Sequence, residues 1–197
     1  IHAGSGLDQV TWMDVRVGDF VVTPRHGKPV EINALWYNAL CIMRDLAKHF
    51  NKDGSFYREL ALKVKDSFNK KFWNERQGCL NDVVDELDDR IRPNQIWAVS
   101  LPFTMLDKEK EKKIVDKVYQ ELYSTYGLRS LSFKDPEFKK EYIGQLFKRD
   151  CAYHMGTTWA YPIGAFISAY CKVNDYSSEA VMRAKEMCEV FEDHMQD

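Results

Sequence analysis

Thr11-Trp12-Met13-Asp14, followed by Thr23-Pro24-Arg25-His26-Gly27-Lys28-Pro29-Val30-Glu31-Ile32-Asn33-Ala34-Leu35-Trp36-Tyr37-Asn38-Ala39-Leu40, is the stretch that decides the fold. It passes from a Trp-x-Asp step, through a connector rich in Pro, Arg, Gly and Lys, into an aromatic-rich helix. Ile32, Leu35, Trp36, Ala39, Leu40, Met43, Leu46, Ala47 and Phe50 recur at three- and four-residue steps. That spacing predicts a helix over 31–50. Asn51-Lys52-Asp53-Gly54 then breaks it. Trp12 beside Asp14 suits a sugar site, because an indole packs on the C–H face of a pyranose and a carboxyl group protonates a glycosidic oxygen. The competing reading makes Trp12 a core anchor and Asp14 a solvated or capping residue.

Working outward, residues 7–30 read as irregular with short extended pieces. Ser55 is placed to cap a second helix that carries Phe56, Leu60, Leu62, Val64, Phe68 and Phe72. Residues 77–85 read as a turn and a short strand. Asp82, Asp85 and Glu86 miss the EF-hand spacing and read as a solvated loop rather than a calcium site. Arg92-Pro93-Asn94-Gln95 opens a third helix, with Pro in its first turn. Asp107 caps a fourth, exposed helix, and Gly127 stops it. Residues 128–156 form a long irregular connection, which in a compact domain is often functional. Thr157 or Thr158 begins a fifth helix, and Ser177 or Ser178 caps a sixth. The more apolar helices, first, third and fifth, alternate with more charged ones. That alternation fits an all-α fold of antiparallel helical hairpins in two layers, the inner buried and the outer half solvated.

Composition narrows the function. The chain has 197 residues, 45% hydrophobic and 29% charged, with a formal net charge of -2. It has no basic footprint for nucleic acid or an anionic membrane. No apolar run approaches the roughly 20 residues of a membrane span. Five cysteines without paired spacing argue against a disulfide framework and a structural zinc site, so reduced thiols in the cytoplasm are expected. His2, His26, His49, His154 and His194 form no ligand motif, and no metal or cofactor is called for.

Candidate site residues follow from the segments that precede the inner helices. Asp150, in Arg149-Asp150-Cys151-Ala152-Tyr153-His154, stands in a loop at the same end as Asp14, or else pairs with Arg149 or caps a turn. Arg25, Lys28 and Glu31 bracket the first helix. They bind sugar hydroxyls or orient Asp14, or else form an ordinary helix N-terminus. Asn94 and Gln95 offer amides to a sugar, or cap their helix. His154 and Trp159 line the pocket, or His154 is a satisfied structural histidine.

Three separated motifs, TWMD with GDFVVTPRHGKPVEINALWYNAL, then RPNQIWAVSLP, then RDCAYHMGTTWAYPIGAF, resemble the C-terminal glucosidase domain of glycogen debranching enzymes. These amylo-α-1,6-glucosidases are related to the glucoamylase-type (α/α)6 toroids. The resemblance runs from about residue 3 to 173. It implies cleavage of α-1,6-linked glucose at glycogen branch points with inversion. It places Asp14, two residues after Trp12, as general acid. Asp150, nine residues before Trp159, falls where the general base stands, although this toroid class often has Glu there. A raised Asp14 pKa from desolvation beside Trp12 would suit the acid role. Two other readings stay open: a non-catalytic carbohydrate-binding or structural helical module, and another α-glucoside-acting (α/α)6 enzyme.

The full toroid has twelve helices and this chain is expected to supply six, about half of it, with short β pieces in the loops. The chain starts without Met inside loop-like sequence, so residues 1–197 are expected to be the C-terminal half of a ring whose upstream half is absent. The helix faces left open would drive aggregation or pair two copies as a homodimer. The chain alone is expected to release little or no glucose from a branched oligosaccharide. A rate near that of a complete debranching enzyme in a glucose-release assay would contradict this.

Overall fold

The computed structural model describes residues 1, 2, 4 and 10–195. The irregular stretch expected from residue 7 is seen from residue 10, and residues 7–9 lie outside the described ones. Among the described residues there are seven α-helices, one 3-10 turn and short strands confined to loops. Two hairpin strands, β1 (Arg16–Val17) and β2 (Phe20–Val21), and the strand β3 (Lys28–Pro29) lead into α1 (Val30–His49). Pro29 precedes α1, where its lost N–H and fixed φ cost nothing. α2 (Ser55–Phe72) returns antiparallel along α1. Ser55 is its first helical residue rather than its cap. Asp53 does the capping, accepting from the Ser55 backbone N–H and hydroxyl, both at 2.9 Å.

The strands β4 (Trp73–Asn74) and β5 (Cys79–Leu80) form a hairpin, and β6 (Val83–Val84) pairs antiparallel with β3. The expected third helix is shorter than its pattern. It is a 3-10 turn over Pro93–Ile96 continued by the single-turn α3 (Trp97–Ser100). Leu101 is extended because Pro102 follows it, and Cδ of a proline disfavours the helical conformation in the preceding residue. Asp107 caps α4 (Lys108–Glu121) through the Lys110 N–H at 2.8 Å, as the sequence predicts.

Two expectations change here. Gly127 does not stop α4, which ends at Glu121, six positions earlier. Gly127 instead opens β8 (Gly127–Arg129), the central strand between β7 (Tyr123–Ser124) and β9 (Thr158–Trp159). Thr158 therefore does not start the fifth expected helix, because its backbone is paired with Arg129. That helix, here α6 (Ile163–Val173), waits until after Pro162, whose ring suits a helix start. The connection between β8 and β9 is not structureless. It contains α5 (Leu146–Asp150), and its ends close where the Lys139 N–H donates to Met155 O at 2.6 Å. α7 (Ser178–His194) begins at the predicted cap Ser177, whose hydroxyl accepts from the Ala180 N–H.

The helices pair as α1 with α2, α3 with α4, and α6 with α7. α1, α3 and α6 run side by side as the inner layer, with α2, α4 and α7 outside. This is the helical-hairpin packing of an (α/α) toroid. The core lies between the layers, around Val30, Phe68, Ile96, Val99, Ile114, Val118, Leu128 and Phe166. Phe68 and Phe72 stack at 4.5 Å, one turn apart on α2. Asn38, buried mid-helix, holds the chain after α3 against α1: it donates to Phe103 O at 2.8 Å and accepts from the Phe103 N–H at 3.0 Å. The segments that precede the inner helices all run to one end, where β3 and β6 meet.

Gly127 is required by the sheet. Its φ is +157°, and a Cβ there would lie 2.1 Å from Trp159 O. Gly127→Ala is expected to cost about 2–3 kcal/mol, through strain and separation of β8 from β9. Urea unfolding measures this, and an unchanged midpoint would contradict it.

Candidate active site

Arg25 and Asp82 are the foundation of the loop end, and both are buried. Asp82 lies with Asn81 between the buried Leu80 and Val83, so the strands around it carry it inward. Its carboxylate accepts from Arg25 Nε at 2.7 Å, Arg25 Nη2 at 3.1 Å and Asn94 Nδ2 at 2.8 Å. Arg25 also grips Glu31 in a two-pronged pair, at 2.5 and 2.7 Å. Arg92 Nε lies 3.8 Å from Asp82 and from Asp88, and its Nη1 donates to Ser130 O at 3.0 Å and His154 O at 2.8 Å. Burial pushes the Asp82 carboxyl upward, against the pull of Arg25 and Arg92. The Arg25 guanidinium loses hydration on burial but is held charged by Asp82 and Glu31.

This cluster ties four chain segments together and corrects one expectation. Asp82 is not in a solvated loop; only Asp85 and Glu86 of that acidic group are exposed. Arg25 and Glu31, both buried, spend their hydrogen bonds on each other and on Asp82. Lys28 is not brought to the site. It pairs with Asp85 and borders a separate hollow between α1 and α2. Gln95 is likewise internal, accepting from the Leu80 N–H and donating to Arg92 O. Asn94 passes the order outward: its Oδ1 accepts from Trp12 Nε1 at 2.7 Å.

Trp12 is the first ring of an aromatic wall. Its centroid is 5.1 Å from His154, 5.8 Å from Trp159 and 5.3 Å from Tyr161, edge-on to each. His154 stacks on Trp159 at 5.3 Å with 22° between planes. Tyr153 meets both rings edge-on, and Trp159 Nε1 donates to Tyr153 O.

The structure brings Asp14 and Asp150 to one hollow of about 410 Å³, which Val15, Arg16, Tyr142 and Tyr153 also line. Asp14 comes from the segment after Trp12, and Asp150 from the end of α5. Asp150 is 21% exposed and Arg149 Nε is 3.5 Å away, so the pairing with Arg149 and the place in the hollow both hold. Asp14 is 61% exposed, so Trp12 does not desolvate it as the sequence reading expects. The indole is turned to Asn94 and the other rings instead. Tyr142 and Tyr161 were not singled out from the sequence: Tyr142 lies in the long connection of residues 128–156, and Tyr161 in the stretch expected to be the fifth helix. Among the described residues, no group of three or more His, Cys, Asp or Glu is placed to hold a metal ion.

A pair of carboxyl groups in a hollow beside an aromatic wall, at the loop end of paired helices, is compatible with a domain of the glycoside-hydrolase type. Comparison with known families agrees. Residues 1–197, the whole chain, match the family described as amylo-alpha-1,6-glucosidase, and the chain belongs to that family. Among solved structures it is similar to neutral trehalase Nth1 from Saccharomyces cerevisiae, at 14% identity and a TM-score of 0.47. That match covers 81% of this chain and 40% of the trehalase chain.

The His154 imidazole is pushed down to about 3 by burial, with Arg92 and Arg25 adding repulsion. An unfolded histidine titrates near about 6.5. As pH falls between those values, the unfolded chain takes up a proton that the folded one refuses. Stability therefore drops as pH falls from about 6.5 towards 3, by up to about 1.4 kcal/mol per pH unit. His154→Gln removes this dependence. Between pH 7 and pH 5 the wild type is expected to lose about 2 kcal/mol more than the variant in urea unfolding, and equal losses would contradict it.

Proposed function

We propose that this domain hydrolyses α-1,6-linked glucose at the branch points of glycogen or a similar branched α-glucan, with inversion at the anomeric carbon. The observation that carries the reading is the meeting of Asp14 and Asp150 in one hollow, from segments far apart in sequence. Asp14 donates its proton to the glycosidic oxygen as the C1–O bond breaks. Asp150 takes a proton from a water whose oxygen bonds C1 from the opposite face. An inverting pair needs about 6.5–9.5 Å between carboxyls, room for that water. The aromatic wall of Trp12, Trp159 and Tyr161 supplies the apolar face for the sugar ring.

In this reading residues 1–197 are the C-terminal half of a larger ring. Leu35, Ile42, Met43 and Leu46 on α1, and Phe56 and Leu62 on α2, are exposed apolar residues that fit a covered face. Pairing of two copies through that face is part of the proposal. Among the described residues no helix is long and apolar enough to cross a membrane. All five cysteines are free, which supports a reducing compartment, the cytoplasm. The exposure of Asp14 favours a second reading for the chain by itself, a module that binds branched glucan without turning it over.

The test uses a protein that carries the complete helical ring. Asp14→Asn is expected to lower glucose release from a branched oligosaccharide by at least about 1,000-fold, with glucan binding retained. Asp150→Asn is expected to do the same. Undiminished turnover in either variant would overturn its assigned role.

A further inference from the structure

His154 is 1% exposed, and among the described residues neither of its ring nitrogens has a hydrogen-bond partner. Buried polar atoms are nearly always paired, so an imidazole with two orphaned nitrogens marks a site left for use. The ring is not free to turn and find partners. Trp159 stacks on one face, and Trp12 and Tyr153 abut it edge-on. Its own backbone carbonyl is held by Arg92 Nη1 at 2.8 Å. So clamped, it presents Nε2 to the Asp14 carboxyl, 4.0 Å from Oδ1.

We propose that His154 is the positioning residue of the acid: its Nε2–H donates to Asp14 Oδ1 when substrate closes the site, and leaves Oδ2, with the transferable proton, facing the glycosidic oxygen. The inference rests on the acid role given to Asp14 above. A separation of 4.0 Å is not a hydrogen bond, and a movement of about 1 Å makes one. Catalytic hydrogen bonds commonly tighten in this way on substrate binding. The imidazole keeps its proton throughout. The proton lost by Asp14 goes to the leaving oxygen, and the Nε2–H stabilises the carboxylate that remains.

The neighbours allow this. Burial, and after it the charges of Arg92 and Arg25, keep the imidazole neutral. The groups that share the hollow with Asp14 are Arg16 from its own segment, Asp150 from α5, and Tyr142 and Tyr153 from the connection around α5. A neutral donor orients the acid without adding a second full charge to that set. This reassigns His154 from sugar contact to the support of Asp14, and explains why a polar ring is walled in by aromatics.

The experiment has two arms. In the first, ¹⁵N NMR of the ring in this chain reads its tautomer at pH 7, with and without Asp14→Ala. The proposal expects Nε2 protonated, and an Nε2–H signal that moves when the Asp14 carboxyl is removed. A proton on Nδ1, or no response to Asp14→Ala, overturns it without reference to turnover. In the second arm, His154→Phe in the complete ring is expected to lower kcat about 10–100-fold with KM within about threefold, and His154→Gln, which restores a donor, to recover most of it. A raised KM at unchanged kcat would make His154 a sugar ligand instead. A His154→Gln variant as slow as His154→Phe would also overturn the proposal. If Asp14→Asn leaves turnover intact, the acid assignment falls instead, and the NMR arm still reads the His154–Asp14 contact.

Discussion

The Asp82 carboxylate is the point on which the loop end of this domain depends. One buried group accepts from Arg25 and Asn94 and sits beside Arg92, and those three residues come from the connector before α1 and the turn before α3. Taking such charges out of water is costly, and only a nearly complete set of partners repays it. The set here is nearly complete. Arg25 has Glu31 as a second counter-charge, and Arg92 has two backbone carbonyls. The arrangement is directional, so it fixes how the segments approach, which apolar packing alone would leave looser.

From that cluster order runs outward to the surface. Asn94 bonds Asp82 with one end of its amide and the Trp12 indole with the other. Trp12 then sets the edge of the aromatic wall, and Asp14 follows two residues on. Arg92 works in parallel, holding the backbone of His154 and so the start of the segment that ends in Trp159. The two halves of the candidate site, Trp12-Asp14 and the Asp150–Trp159 stretch, are thus anchored to the same buried ions. The α5 segment that supplies Asp150 is more exposed, and the connection that carries it is closed by the Lys139 N–H on Met155 O and the Ser130 N–H on Thr157 O.

What the sequence made legible follows from what was local. The three-and-four periodicity of α1, α2, α4 and α7 marks their existence, and Asp107 and Ser177 mark two of their starts, because capping chemistry is written in adjacent residues. Trp12, Asp14, Asp150, His154 and Trp159 were legible as a group through their motifs. Asp82 was not: beside Asp85 and Glu86 it looked like one more solvated acid, and only the pairing of β3 with β6 turns it inward. The setting of Arg25 was hidden for the same reason: Glu31 is only six residues on, but nothing local says that Asp82, 57 residues away, completes the set. Thr158 and Trp159 looked helical until the long-range pairing with β8 claimed their backbone. Pro162 was the local signal that could have moved that helix start.

The buried Asp82 cluster supports both the fold and the placement of Trp12. Its most direct test is the unfolding free energy of Asp82→Ala, measured with the hydrogen exchange of the Trp12 indole N–H. The prediction is a loss of about 3–5 kcal/mol, because Arg25 and Arg92 are left buried without their shared counter-charge, together with loss of indole protection. A loss below about 1 kcal/mol with the Trp12 N–H still protected would show that the site does not rest on that carboxylate.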